Sequence, residues 1–532
     1  MRINYCILIV FIAISACKQS EISAPVTFNP LSIRDPKVLF SPEERYGLLF
    51  DSVQMSTIFQ DSKTFLDCIP KMSTDSVLAI FETERVKPDF NLSTFVNQYF
   101  ILPTTAADYV GNTSEPIEQY ISNFWLHLMR KADTSDLGTL IQLPNPYIVQ
   151  SGQSREIYYQ DSYFTMVGLK ATNQIDLLEN MVKNFAHLID FQGYVPSGNR
   201  TYYLSRTQPP YFACMVQLLA SVKGDETYKK YLPQLEKEYQ FWMDGKPTEI
   251  GKETSSKKRV VCMDGNVVNR YYGDEKPRPE SFKEDKLFAK KSGQDLKPFY
   301  RHLRACSESG WDMSSRWLSD GKDKYKLHTT DIVPIDLNAL LYNLELVIMK
   351  GKILDKKMDE AANYEKLSSK RREAVMRYCW SDDKQMFFDF DFQKYRKKET
   401  YSLAAAYPLY FKMVTKREAD KIAENIEKML LLPGGLVATN NTIGQKFDAP
   451  YSTAPLQWIA IQGLRNYGHG DLADDIKKRW IELCSNHYQS TGKILDRYNV
   501  ADFNAQSDSL SSPTQDGYGY SNAILLKLLK EN

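Results

Sequence analysis

Arg304-Ala305-Cys306-Ser307-Glu308-Ser309-Gly310-Trp311-Asp312-Met313-Ser314-Ser315-Arg316-Trp317 sets two acids, two arginines and two tryptophans, with a glycine and four serines, between stretches of ordinary helical sequence. Such a mixture makes a poor hydrophobic face. It makes a good wall for a polyol, because carboxylates and guanidinia hydrogen-bond hydroxyls and an indole stacks on the apolar face of a sugar ring. The same composition suits a surface turn held by an Asp/Arg pair, so the surroundings have to decide.

On both sides of this stretch apolar residues recur three and four apart, interrupted by Pro, Gly and Asn clusters. The spacing predicts helices over 115–131, 174–190, 210–222, 228–244, 336–353, 359–378, 416–431, 454–467 and 472–489. Strand-like runs are short, as at 260–263. Polar and aromatic residues concentrate in loops at 142–164, 192–210, 262–284, 304–336, 433–455 and 490–521. Loops longer than about 12 to 15 residues in a compact domain usually carry function. Recurring helical hairpins with elaborated loops at one end suggest an all-α toroid of paired helices around an axial pocket. A helical solenoid has the same periodicity.

The 532 residues hold 67 basic and 66 acidic side chains, with no basic arm or acidic tail, which argues against nucleic acid or an anionic membrane surface as partner. No Pro/Gly/Ser-rich linker divides the chain after its N-terminus. Residues 1–16 read as an export signal: Arg2, an apolar run from Cys6 to Ile14, then Ile14-Ser15-Ala16-Cys17, which resembles a bacterial lipobox with Cys17 as the lipidated residue. The run is too short to span a bilayer, so any membrane association is expected through the Cys17 anchor, with 17–38 as a polar tether. A plain secretory signal is the other reading of the same residues. The remaining cysteines, at 68, 214, 262, 306, 379 and 484, are scattered without CxxC, so no disulfide framework is indicated. The six histidines form no HxxH or HExxH spacing, which leaves a metal site without support, and no cofactor is expected.

Read together, the loops resemble the trehalases, the inverting glycoside hydrolase family 37 with an (α/α)6 barrel. Phe50-Asp51-Ser52-Val53-Gln54 and Asp61-Ser62-Lys63-Thr64-Phe65 match the family's N-terminal portion. Val195-Pro196-Ser197-Gly198-Asn199-Arg200 with Tyr202 to Pro210, then Glu308 to Trp317, then Asp331 to Tyr342 follow in family order, and the likeness runs through 39–532. The resemblance implies hydrolysis of an α-glucosidic disaccharide, trehalose by default, in an exported periplasmic or cell-envelope protein expected to act as a monomer. It implies Asp312 as general acid, with burial against Trp311 or Trp317 expected to raise its pKa, and Asp496 as general base. It further implies Asp161, Arg206, Thr207, Gln208, Arg278, Pro279, Glu280 and Gly310 as substrate-binding residues.

The departures from the family cluster at the pocket. In the first signature an arginine is replaced by Gln153 and a tryptophan by Gln160, and in the next block an asparagine is replaced by Ser197. The second signature, Gln-Trp-Asp in the family, reads Lys446-Phe447-Asp448, and Ser511 stands about where a lid glutamate would be. The base motif Glu-Lys-Tyr-Asp reads Asp496-Arg497-Tyr498-Asn499, one methylene shorter at the reacting carboxylate. Two alternatives stay open on these grounds: a sugar-binding protein that kept the barrel without efficient catalysis, and a hydrolase of a different α-linked oligosaccharide.

Overall fold

The computed structural model describes residues 40–103, 109, 112–134, 138–152, 154–502 and 518–531. The signal and tether with Cys17, and the substituted positions Gln153 and Ser511, lie outside the described residues.

Six helices pack side by side into a closed inner ring: α1 (Tyr159–Ala171), α2 (Phe212–Lys223), α3 (Ile335–Leu354), α4 (Tyr407–Tyr410), α5 (Ala454–Arg465) and α6 (Gly519–Leu529), with α6 returning to pack on α1. Helices Ile117–Leu128, Ile175–Gln192, Leu232–Trp242, Met358–Cys379, Lys416–Leu430 and Gly470–Thr491 cover the ring from outside. This is the expected (α/α)6 barrel, and closure of the ring excludes the solenoid.

Chain direction follows from the connections. From the end of α1 to the next outer helix the chain spends only 172–174, and from α3 only 355–357, whereas 243–334 and 492–518 separate outer helices from α3 and α6. Short links therefore gather at the C-terminal ends of the inner helices and long segments at their N-terminal ends. One mouth of the barrel thus receives nearly all the polar loop sequence, together with the positive ends of the inner-helix dipoles.

The outer helices begin and end within a few residues of their expected bounds because each has one apolar stripe. Lys416–Leu430 buries Ala419, Ile422, Ala423, Ile426 and Leu430, three and four apart, and Thr415 and Glu418 close a reciprocal capping box at its start. Three inner helices, α2, α3 and α5, also fall close to the expected 210–222, 336–353 and 454–467, whereas α1, α4 and α6 were not expected. The expected loop 142–164 ends earlier, since α1 starts at Tyr159, and 490–521 likewise gives way to α6 at Gly519. Surrounded on all sides, α1 buries Ser162 and Thr165 as well as Phe164, Met166 and Leu169, so it carries no stripe for periodicity to detect. Its close approach to α6 depends on Gly168, where an added Cβ would lie 2.6 Å from that of Ala523.

A smaller aromatic cluster outside the ring joins Tyr46, Phe50, Phe65, Phe81, Phe95 and Phe100 to Tyr202, Tyr203 and Phe282. Each buried ring contributes about 1.5–3 kcal/mol, which braces the segments leading to Arg206 and Arg278 against the barrel mouth.

Candidate active site

Asp312 lies in the segment leading into α3, and Asp496 in the segment leading into α6. In the ring order these helices are three steps apart, so the two carboxylates belong to segments that enter opposite inner helices. Asp161, in the first turn of α1, stands between them electrostatically: its carboxyl feels both Lys446 and Asp496, while Asp312 feels Lys446 and Arg206.

The acid-side wall is built on Arg278. Its Nη1 donates to Asp312 Oδ2 at 2.7 Å, its Nε and Nη2 grip Asp285, and its own backbone N–H donates to Asp285 Oδ2 at 2.7 Å. Ser307 Oγ donates to the same Asp312 oxygen at 2.8 Å. Arg304 fixes the approach by donating to the carbonyls of Lys276 and Pro277. Asp285 carries no motif at its spacing, and Ser307, although inside the opening stretch, shows its role only in the folded contacts.

Two expectations about this wall are corrected. Trp311 and Trp317 are 2% and 0% exposed, sandwiching the Arg316 guanidinium at 4.4 and 4.6 Å, so neither indole is a platform for a sugar. Arg316 in turn bridges Asp336 and Asp389. Nor is the Asp312 carboxyl raised. Burial pushes it up, but the Arg278 guanidinium, the Ser307 hydroxyl, Lys446 and Arg206 together outweigh burial and hold it below the usual carboxylate range. Asp161 is a raised carboxyl at the mouth, pushed up to about 7 by burial and by the Asp496 charge against the opposing pull of Lys446.

Glu308, kept whole in the motif, is a brace. Fully buried, it accepts two bonds from Arg259 and one from the Tyr272 N–H. Arg206 pairs with Glu280 at 2.7 Å, and Glu280 Oε2 has no hydrogen-bond partner among the described residues. Ser197 donates to the Thr207 carbonyl at 2.7 Å and accepts from Arg206 Nε at 3.2 Å, so it steadies Arg206. Thr207, 1% exposed, has its hydroxyl engaged by the Val195 carbonyl, and Pro279 starts a short 3-10 turn that carries Glu280. Gln208 Oε1 accepts from the Gln160 N–H at 2.9 Å and so caps the start of α1. Gln160 reaches Gly310, where an added Cβ would fall 2.0 Å from its Oε1.

Asp496 is 4% exposed, with Arg497 Nη1 at 3.5 Å and the Tyr520 hydroxyl donating to its backbone carbonyl at 3.3 Å. Strand Tyr498–Asn499 pairs with Tyr451–Ser452, which ties this wall to the segment entering α5. In that segment Asp448 accepts from the Ser315 N–H and from the hydroxyls of Ser314, Ser315 and Thr439, and the Phe447 N–H donates to the Met313 carbonyl at 2.9 Å. The acid stretch and the second-signature segment therefore lie against each other, which brings Lys446 close enough to Asp312 to act on its charge.

A family profile described as trehalase matches residues 57–532. Periplasmic trehalases of Escherichia coli, including that of strain K12, are 39% identical over 528 residues, covering 98% of this chain and 91% of theirs. Among solved structures, neutral trehalase from Saccharomyces cerevisiae superposes with a TM-score of 0.59 at 24% identity over 73% of this chain and 74% of that one. A mannosylglycerate hydrolase from Thermus thermophilus gives 0.51 at 15% identity over 77% of this chain and 99% of that one, a likeness of fold. By the extent of the profile match and of the sequence identity, this chain belongs to the trehalase family.

Proposed function

We propose that the protein is a glycosidase that hydrolyses trehalose to two glucose molecules with inversion, Asp312 acting as general acid and Asp496 as general base. The observation that carries the site assignment is the origin of these carboxylates on segments entering opposite inner helices. An inverting hydrolase needs one carboxyl at the glycosidic oxygen and another across the sugar, with room for a water between them. Asp496 takes a proton from that water as its oxygen attacks the anomeric carbon, and Asp312 gives its proton to the departing oxygen. One sugar leaves as the β-anomer and the other keeps the α configuration.

Since Arg278 and Ser307 favour the ionised form of Asp312, the productive complex must take up a proton. Asp161 and Glu280 would accept sugar hydroxyls, and Arg206 and Arg278 hold the carboxylates that frame them. Purified protein is expected to release glucose from trehalose, with losses of about a thousandfold or more in Asp312→Asn and Asp496→Asn. Wild-type turnover that survives Asp312→Asn would reject the acid assignment.

We further propose export to the periplasm or cell envelope with a lipid anchor at Cys17, a tether over 17–38 and a monomeric catalytic unit over 39–532. The lipobox-like Ile14 to Cys17 supports the anchor, and no helix among the described residues is long and apolar enough to cross a membrane. Fatty-acid labelling of the wild type that persists in Cys17→Ser would contradict it.

A further inference from the structure

Most cations around the site are already committed. Arg278 is held by Asp285 and Asp312, Arg206 by Glu280, Arg259 by Glu308, and Arg316 by Asp336 and Asp389. Lys446 differs: among the described residues its ammonium makes no hydrogen bond or ion pair, although it is close enough to Asp312 and Asp161 to bias both. It lines the same cavity as Arg278 and Asp312, a space of about 890 Å³ that continues past Met313 toward Tyr325. Its backbone is not free to move away, because Phe447 is bonded to Met313 and Asp448 to Ser314 and Ser315. Where the family signature has glutamine, with donors and an acceptor, this chain has three N–H donors and a full charge.

We propose that Lys446 is a substrate-binding residue that decides which sugar is accepted beside Asp312, its ammonium donating hydrogen bonds to hydroxyl oxygens of the leaving sugar. Only acceptors can satisfy it, so it favours a neutral hydroxylated ring and disfavours a ring bearing an ammonium group at the same place. This inference rests on the reading above, in which a disaccharide lies between Asp312 and Asp496.

The test is calorimetric affinity for trehalose in the Asp312→Asn protein, where turnover is suppressed, with and without changes at Lys446. Lys446→Met is expected to weaken binding about tenfold, Lys446→Arg to stay within about threefold, and Lys446→Gln to fall between them. In the active background Lys446→Met should raise KM by the same factor while kcat moves far less, a split that a merely structural role would not produce. Equal affinity in Asp312→Asn with and without Lys446→Met, with the wild type still hydrolysing trehalose, overturns this inference alone. A wild type that binds trehalose without hydrolysing it, and loses affinity in Lys446→Met, overturns the hydrolase reading alone. No binding of trehalose overturns both.

Discussion

Arg278 Nη1 and Ser307 Oγ meet on one oxygen of Asp312, Oδ2, at 2.7 and 2.8 Å. A group meant to donate a proton is thus stabilised in its ionised form before substrate arrives. The protonated fraction of Asp312 shrinks as pH rises, so kcat/KM is expected to fall with increasing pH over a range set by this lowered pKa. Ser307→Ala removes one stabilising bond and should move that limb to higher pH. An unmoved limb in the pH profile of Ser307→Ala would separate it from Asp312.

Arg278 also binds Asp285 through both its side chain and its backbone, and this fork is what aims it. Arg278→Lys keeps the charge and loses the planar two-sided grip. Displacement of the acid by about 1 Å would cost about 100-fold, so steady-state kinetics should show kcat/KM lower by about that factor, with the unfolding midpoint near wild type.

Arg316 is 1% exposed and holds Asp336, in the first turn of α3, to Asp389. Arg316→Met would leave two buried carboxylates without their cation, at a cost of about 3–5 kcal/mol. Urea denaturation checks this, and a loss below about 1 kcal/mol would contradict the role given to the bridge.

How much of this was legible depends on sequence distance. The barrel was, because the outer helices carry stripes such as Ile422, Ala423 and Ile426, and because Asp312 sits in a dense motif. The orientation of Trp311 and Trp317 was not: it is decided by Arg316 reaching Asp389, a partner 73 positions away that no local spacing announces. Asp285 is only seven positions from Arg278 but carries no motif, and the raised carboxyl of Asp161 comes first from burial and then from Asp496 at the far end of the chain. The start of α1 was hidden by Gln160, Asp161 and Ser162, which are polar because they face the mouth or brace it, while propensity alone reads such residues as loop.

Glu238 offers a test of the scaffold that leaves the site aside. It is fully buried under the Tyr159 hydroxyl, and burial pushes its carboxyl up to about 8. Folded Glu238 keeps its proton to that pH, whereas the unfolded side chain loses it near 4.5. Between those values the folded state binds the extra proton, so stability falls as pH rises. Glu238→Gln should flatten this part of the stability–pH curve, as read from denaturation at pH 5 and about pH 8.

Gly310 has φ of +74° and lies against Gln160. Gly310→Ala is expected to cost about 1–2 kcal/mol from backbone strain and to disturb the join between the acid loop and α1. Adding Gln160→Ala should recover the steric part of the loss, with the strain remaining, which paired thermal melts would resolve.

The most direct test of the whole account is the anomeric composition of glucose in the first moments of trehalose hydrolysis, followed by proton NMR before mutarotation. Carboxylates on opposite walls with a water between them should give α- and β-glucose in equal amounts. Release of α-glucose alone, or of no glucose by folded protein, would contradict an inverting site built on Asp312 and Asp496.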